Sequence, residues 1–156
     1  MLQVAVGLVQ DDHQRILMTS RPAGKVYAGW WEFPGGKIEA GETVAQALAR
    51  ELDEELGLHL QPEAVRPLGS RDYVYPHAHV ALHFCLIRDW HGPEGSLRRG
   101  LALREGQQAC WVDFGRRLGH SQAVAMPYPV LPASLPLIRA LEIAEGHLEG
   151  QLPLDW

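Results

Sequence analysis

Apolar residues dominate the start of the chain in two short stretches that a polar turn separates. Leu2–Val9 is the first stretch, residues 11–14 (DDHQ) are typical of a turn, and Arg15–Ser20 alternates apolar side chains between two faces. The pattern predicts a strand, a turn and a returning strand. Pro22, Gly24 and Gly29 then indicate a loop, followed by a short strand at 30–33 (WWEF) that the Pro-Gly-Gly sequence after it should end.

The next periodic segment carries the signals of a helix at both ends. Thr43 can cap its start, and Gln46, three residues later, can complete a capping box. Gly57 follows the last periodic residue, where a left-handed residue commonly ends a helix, and Leu58 can supply the usual apolar contact. At 100° per residue one apolar stripe forms, from Val44, Leu48, Leu52 and Leu56.

The remaining pattern alternates strands with one more helix. Val65–Tyr75 and His79–Arg88 read as strands, residues 91–106 as a Gly- and Arg-rich loop, and Ala109–Phe114 as a short strand. A second helix is predicted from a Ser134 cap to about Leu148. Strands, helix, strands and helix in this order predict an α/β (α+β) sandwich with a mixed sheet.

Composition and charge narrow the function classes. The chain has 156 residues with 46% hydrophobic and 21% charged residues, which suits a single domain over 1–156 with one core. Its 14 basic and 19 acidic residues give a net charge of −5. Binding to a nucleic-acid polymer relies on Lys and Arg contacts to phosphates, so we expect no such partner. A small anion escorted by a divalent metal stays compatible with this charge.

The expected setting is the cytoplasm. The first fourteen residues have no basic leader before the apolar run, which argues against a signal peptide, and no apolar run reaches the length of a membrane span. Cys85 and Cys110 each lie in an apolar strand-like segment. We interpret them as buried thiols of a reducing compartment, with a disulfide as the alternative. We predict no protein partner and no membrane association.

The last turns of the first helix gather four acids, in the sequence RELDEELG at 50–57. Acids there face the negative pole of the helix dipole, and like charges four residues apart repel by a few tenths of a kcal/mol. On a helical wheel Glu51, Glu54 and Glu55 form an edge beside the apolar stripe, whereas Asp53 points away. The acids are therefore either a solvated face or a site for a cation.

The residue types favour one class of cation. Three carboxylates without a thiolate or an imidazole suit Mg²⁺, or Mn²⁺, better than Zn²⁺. The nearby Pro34-Gly35-Gly36-Lys37 adds a turn of bare backbone, which an ion or a phosphate can approach, and one positive charge. These residues predict metal-dependent chemistry on a phosphate group.

The spacing of these residues resembles a known motif, the Nudix box. It reads Gly36-x5-Glu42-x7-Arg50-Glu51-Leu52-x-Glu54-Glu55-x-Gly57-Leu58. The resemblance implies an α/β/α sandwich that hydrolyses nucleoside diphosphates linked to another group, with a divalent metal. It also implies metal-binding and catalytic roles for Glu51, Glu54 and Glu55, with the Gly35 carbonyl as a further ligand. The residues that would hold the motif together are Gly36, Glu42, Arg50 and Gly57.

Segments outside the box are similar to the MutT branch of the superfamily. These segments are VAVGLV near the start, Arg21, EFPGGK, REGQ at 104–107 and the PAS and PLIRAL sequences of the last helix. The resemblance implies hydrolysis of oxidised purine nucleoside triphosphates such as 8-oxo-dGTP to the monophosphate and pyrophosphate. It makes Glu105 a further metal ligand. The implied substrate-binding residues are Arg21, Phe33, Lys37, Tyr75 and Ser134.

Two departures from the MutT pattern keep other substrates open. Ser134 stands where that branch has Asn, and a hydroxyl cannot make the paired contacts of an amide. Ala78 stands where that branch has Arg. The alternatives are a hydrolase of CTP, dCTP or a nucleotide sugar, and a nucleotide-binding sensor without turnover. A processor of RNA ends is a further alternative, which the acidic net charge disfavours.

Three histidines within and just before the predicted strand His79–Arg88, namely His77, His79 and His83, share one face in an extended chain. Alternate residues of a strand are about 7 Å apart, so one Zn²⁺ cannot reach all three. We expect a polar strand face that lines the nucleotide cleft.

Overall fold

The computed structural model describes residues 1–114, 126–144 and 148. These residues form nine strands and two α-helices. In chain order they are β1 (Leu2–Val9), β2 (Ile16–Ser20), β3 (Trp31–Glu32), β4 (Gly35–Lys37), α1 (Val44–Leu56), β5 (His59–Leu60), β6 (Arg66–Val74), β7 (His79–Ile87), β8 (Trp90–His91), β9 (Ala109–Val112) and α2 (Leu135–Ile143). No helix of these residues is long and apolar enough to cross a membrane.

A mixed four-stranded sheet lies at the centre, in the order β4-β1-β7-β6. Strands β1 and β7 run parallel, with Leu2 opposite Val80, and the other two pairs are antiparallel. The chain also forms a three-stranded sheet, β3-β2-β9, and a small β5-β8 pair. The mixed sheet predicted from the sequence is confirmed.

Side chains that alternate along β1 separate two apolar cores. Ala5 and Val9 pack in the core of α1, which also contains Leu52. Val6 packs in the core of α2, which also contains Leu137. All five residues are at most 8% exposed. The two helices therefore cover opposite faces of the sheet, which confirms the predicted sandwich.

Helix α1 begins and ends where the sequence predicts. The Thr43 hydroxyl accepts from the Gln46 amide at 3.1 Å, and the Gln46 side chain accepts from the Thr43 amide at 2.9 Å. Gly57 has φ +66°, and its amide donates to the Asp53 carbonyl. The capping box and the left-handed end are both confirmed, and they fix the orientation of the acidic edge.

The strand, turn and returning strand predicted at the start of the chain are confirmed, although the two strands hardly pair with each other. Only a single bridge, Gln10 to Ile16, links the two segments, and β2 pairs with β3 and β9 instead. Both edges of β1 are occupied, by β4 on one side and β7 on the other.

The Pro-Gly-Gly sequence was expected to end a strand, yet Gly35–Lys37 itself forms β4, with Gly35 opposite Val6. Gly35 has φ +149°, and a Cβ there would overlap the Ala5 carbonyl. Glycine is therefore required for β4 to lie so close to β1.

The Ser134 cap predicted for the second helix was also wrong. Pro132–Ser134 forms a short 3-10 turn that runs directly into α2, so Ser134 already has helical angles (φ −84°, ψ −19°) and its side chain makes no capping bond. The Tyr75 hydroxyl instead accepts from the Ala133 amide at 3.1 Å. The helix is described to Ile143; its predicted continuation includes residues 145–147, which lie outside the described residues.

The two cysteines are free thiols, as predicted. Cys85 is buried in the α1 core, and Cys110 of β9 is half-buried beside the other core.

Candidate active site

A cleft of about 640 Å³ opens beside the edge of the central sheet where β1 meets β4. Most of the site residues predicted from the sequence line this cleft. Those that line it are Arg21, Phe33, Gly35, Gly36, Lys37, Glu51, Glu55, Tyr75, Glu105 and Ser134. Glu54 does not line it, and its side chain is 60% exposed.

Glu51 is a largely enclosed acid of the α1 edge, with a side chain 16% exposed. Its carboxylate lies flat against Gly36: a Cβ on Gly36 would come 2.6 Å from each oxygen. Arg50 donates to it at 2.9 Å. The bare backbone of β4 and the Arg50 guanidinium together hold this carboxylate in the cleft.

Glu55 sits one turn further along, and its pKa is raised to about 9. Burial is the largest cause, followed by the negative charge of Glu51 and then that of Glu105; a hydrogen bond with Glu51 also favours the protonated form. At neutral pH the metal-free protein therefore holds a proton on Glu55. These acids repel one another, as the sequence argument anticipated for an unneutralised cluster.

Arg50 links the loop before α1 to its acidic edge. Its Nε and Nη2 each donate to Glu42 at 2.8 Å, and Nη2 also donates to the Lys37 carbonyl at 3.0 Å. The hydrogen bond from Arg50 lowers the pKa of Glu42 to about 2. Glu54 is a looser partner, at 3.5 Å. Arg50 therefore connects β4, the loop before α1 and helix α1 through its hydrogen bonds to Lys37, Glu42 and Glu51.

Gly57 allows close packing at the far end of the helix. A Cβ there would come 2.9 Å from Pro93 Cγ, in addition to the strain of its left-handed φ.

Arg21 is already engaged in this structure. Its Nε donates to the Val26 carbonyl at 2.7 Å, and its Nη1 donates to Glu32 at 3.0 Å. Burial raises the pKa of Glu32, although Arg21 opposes the shift. Sequence reasoning missed Glu32, which also lines the cleft. The available signal was an acid placed between apolar residues in WWEF.

Aromatic side chains form one wall of the cleft. Phe33 is 4% exposed and packs 6.5 Å from Phe114, so it serves both the core and the cleft. The Tyr75 ring lies 5.8 Å from Tyr27 and 5.1 Å from His77. Burial raises the pKa of Tyr75 to about 12. This wall offers flat apolar surfaces of the kind on which a nucleobase stacks.

The expectation that three histidines line the cleft was wrong for two of them. His79 pairs with Asp72 at 3.5 Å, and His83 contacts Gln3 at 2.7 Å. The pleat of β7 turns Val80 and its alternate neighbours into the cleft instead. His77 precedes the strand and does line the cleft.

The donors suit a hard divalent cation by their chemistry. Glu51, Glu55 and Glu105 supply only carboxylate oxygens. Burial is the largest cause of the raised pKa of Glu55, and the negative charges of Glu51 and Glu105, which a cation would offset, add to it. Within 1–114, 126–144 and 148, no three acidic, histidine or cysteine side chains stand close enough together to bind an ion as placed. Binding would therefore draw these carboxylates together.

Comparison with known proteins gives consistent matches. A family model described as NUDIX domain matches residues 1–125. An 8-oxo-dGTP diphosphatase of Escherichia coli K12 is 39% identical over 114 residues, which are 72% of this chain and 81% of that protein. A CTP pyrophosphohydrolase of the same organism is 36% identical over 141 residues, 90% of each chain. A structure of MutT from Aliivibrio salmonicida and Vibrio cholerae superimposes with a TM-score of 0.64 and 28% identity, covering 91% of this chain and 97% of that one.

Proposed function

The chain belongs to the Nudix family, and from this premise we propose that it is a MutT-type nucleoside triphosphate pyrophosphohydrolase. Nudix enzymes act on nucleotides and generally need a divalent metal. The proposed substrates are oxidised purine deoxynucleoside triphosphates such as 8-oxo-dGTP, which are cut to the monophosphate and pyrophosphate. The observation that carries the proposal is the convergence of Glu51, Glu55 and Glu105 on one cleft with an aromatic wall.

Mg²⁺, or Mn²⁺ in its place, is the proposed cofactor. Glu51, Glu55 and Glu105 would hold it from inside the cleft, with Glu54 from the solvent side and the Gly35 carbonyl from β4. When bound, the ion neutralises phosphate charge and makes a bound water more acidic.

The protein's own groups would orient the reaction. Glu51, whose carboxylate lies against Gly36 and accepts from Arg50, would orient or deprotonate the attacking water. Arg21 and Lys37 bring positive charge to the cleft and would offset the negative charge of the phosphates. Phe33 and Tyr75 would pack against the base. The Ser134 hydroxyl, which makes no capping bond to α2, would hydrogen-bond to the base edge.

The proposal is tested with purified protein, Mg²⁺ and a panel of 8-oxo-dGTP, dGTP, dCTP and CTP. Pyrophosphate release from any of them, abolished by EDTA, supports a hydrolase and excludes a sensor without turnover. No release of phosphate or pyrophosphate from the whole panel would refute the proposed activity.

Hydrolysis of CTP is the second candidate. The CTP pyrophosphohydrolase aligns over 90% of this chain, whereas the 8-oxo-dGTP diphosphatase aligns over 72%. Ser134 offers a single hydroxyl where a purine-reading amide would be expected. The ratio of kcat/KM for 8-oxo-dGTP and CTP decides between the two.

We also propose that residues 1–156 form one domain that acts in the cytoplasm. The free thiols of Cys85 and Cys110 support a reducing compartment. The net charge of −5 supports free nucleotides rather than a nucleic-acid polymer as the partner.

A further inference from the structure

Gln107 is a buried polar residue in a segment that is otherwise open to solvent. It is 6% exposed, whereas residues 103–106 and Gln108 are exposed. Its Oε1 accepts from the Glu105 amide at 3.0 Å, and its Nε2 donates to the Glu55 carbonyl at 3.2 Å. One side-chain amide thus connects the loop that carries Glu105 to the helix that carries Glu55.

The same loop satisfies the C-terminal carbonyls of α1, which lack partners within the helix. The Ala102 amide donates to Leu56 at 2.9 Å, and the Arg104 amide donates to Glu55 at 3.2 Å. Arg104 Nη1 donates to the Asp53 carbonyl at 2.7 Å and brings a positive charge to the negative end of the helix dipole. The loop is therefore docked on the helix end, and Gln107 is the buried part of that docking.

We propose that Gln107 is a positioning residue that sets the Glu105 backbone relative to Glu55, so that the two carboxylates meet at one metal. This inference rests on the proposed function, because it assumes that both acids bind the ion. Glu105 lies 50 positions after Glu55 in the chain, and Glu105 itself is exposed. Without a fixed backbone its carboxylate would sample positions away from the cleft.

The chemistry of the contact needs an amide. Gln offers an acceptor and a donor at the two ends of one planar group, and here both are used at once. Met has similar length and neither function. Asn has both functions but is one methylene shorter, so it cannot span the same two partners.

The test compares Gln107→Met with Gln108→Met, a neighbouring exposed glutamine that does not line the cleft. Binding of Mn²⁺ alone is measured by electron paramagnetic resonance of the free ion, without nucleotide. We expect Gln107→Met to weaken Mn²⁺ binding about tenfold or more, as loss of a group that orients a ligand commonly does. The Gln108 variant should bind as the wild type does.

Two further readouts separate positioning from general destabilisation. In the metal-free Gln107→Met protein, hydrogen exchange at the Glu105 amide should accelerate at least tenfold, while exchange in the centre of α1 stays unchanged. The Mg²⁺ concentration for half-maximal turnover should rise more than kcat at saturating Mg²⁺ falls. If Gln107→Met fails to fold, Gln107→Asn provides the same measurements.

The outcomes distinguish the proposed function from the positioning role of Gln107. Wild-type protein that neither binds Mn²⁺ nor hydrolyses any nucleotide would overturn the proposed function. Active wild type, together with a Gln107 variant that binds Mn²⁺ within twofold of it or leaves Glu105 exchange unchanged, would overturn only the positioning role.

Discussion

Replacing Gly36 with Ala should separate folding from activity. The added methyl carbon would lie 2.6 Å from both Glu51 carboxylate oxygens. Non-bonded atoms settle near 3.5 Å, so the carboxylate must move by roughly 1 Å. Gly36 does not have a left-handed φ, so Ala itself meets no backbone strain there.

The expected cost differs between the two properties. A shift of about 1 Å at a catalytic group can reduce the rate by about 100-fold, so we expect kcat/KM to fall by that order. The atoms that must yield are the end of a flexible side chain, and Ala also stiffens the unfolded chain. The free energy of unfolding should therefore change by less than about 1 kcal/mol.

Gly35→Ala is the matched comparison. Its Cβ would meet the backbone of Ala5, with the carbonyl carbon at 3.0 Å and the oxygen closer, and its φ of +149° strains any other residue. We expect a loss of about 2 kcal/mol or more in stability. Urea denaturation and pyrophosphate release, measured on both variants, give the two quantities.

A Gly36 variant that keeps more than half of the wild-type kcat/KM would contradict this prediction. In that case, the contact between β4 and Glu51 does not constrain the reaction. A Gly36 variant that unfolds as readily as the Gly35 variant would also contradict the prediction, because the added methyl group would then clash with backbone atoms and not only with the Glu51 side chain.

Three other outcomes are expected. Glu54→Gln should lower kcat/KM by about 100-fold or more, because it removes a proposed metal ligand. The melting temperature should stay unchanged, because the Glu54 side chain is exposed. Turnover near the wild-type level would show that Glu54 does not bind the metal. In EDTA, the folded protein keeps a proton on Glu55 that the unfolded chain releases above the usual pKa of 4.5. The free energy of unfolding of the wild type, relative to that of Glu55→Gln, should therefore fall as the pH rises from about 5 to about 9. A difference in urea denaturation that stays constant over this range would contradict the raised pKa. Arg50→Met should lower the melting temperature by roughly 3–5 °C. Arg50→Lys should not restore it, because Lys lacks the planar guanidinium with which Arg50 donates two hydrogen bonds to Glu42. A melting temperature fully restored by Lys would show that only the positive charge of Arg50 matters.

Helix α1 and its acids were predictable because their signals are local. Thr43, Gln46 and Gly57 lie within one or two turns of the contacts that they make, so spacing alone determines them. The family predicted from the motif at 36–58 is likewise confirmed. The place of each acid in the cleft was not predictable to the same degree, since the wheel put Glu54 and Glu55 on one edge while the fold exposes the first and encloses the second.

The errors arise where distant segments compete for the same groups. Ser134 would cap α2 in isolation, but a preceding 3-10 turn and the Tyr75 hydroxyl take over the start of that helix. Glu32 escaped notice because its meaning depends on Arg21, which lies eleven residues away. Strands β5 and β8, of two residues each, carry too little pattern to be recognised.

The parallel pairing of β1 with β7 also bears on the order in which the chain folds. Each β1 residue pairs with a partner 78 positions later, as Leu2 does with Val80, whereas β6 and β7 meet through a hairpin in which Val74 faces His79. Closing the longer loop costs about 2 kcal/mol more in chain entropy. We therefore expect the hairpin to form first and to present the free edge of β7 as the template onto which the apolar β1 docks. Until β7 has left the ribosome, β1 lacks its longest partner, and its apolar side chains are open to chaperones or to aggregation.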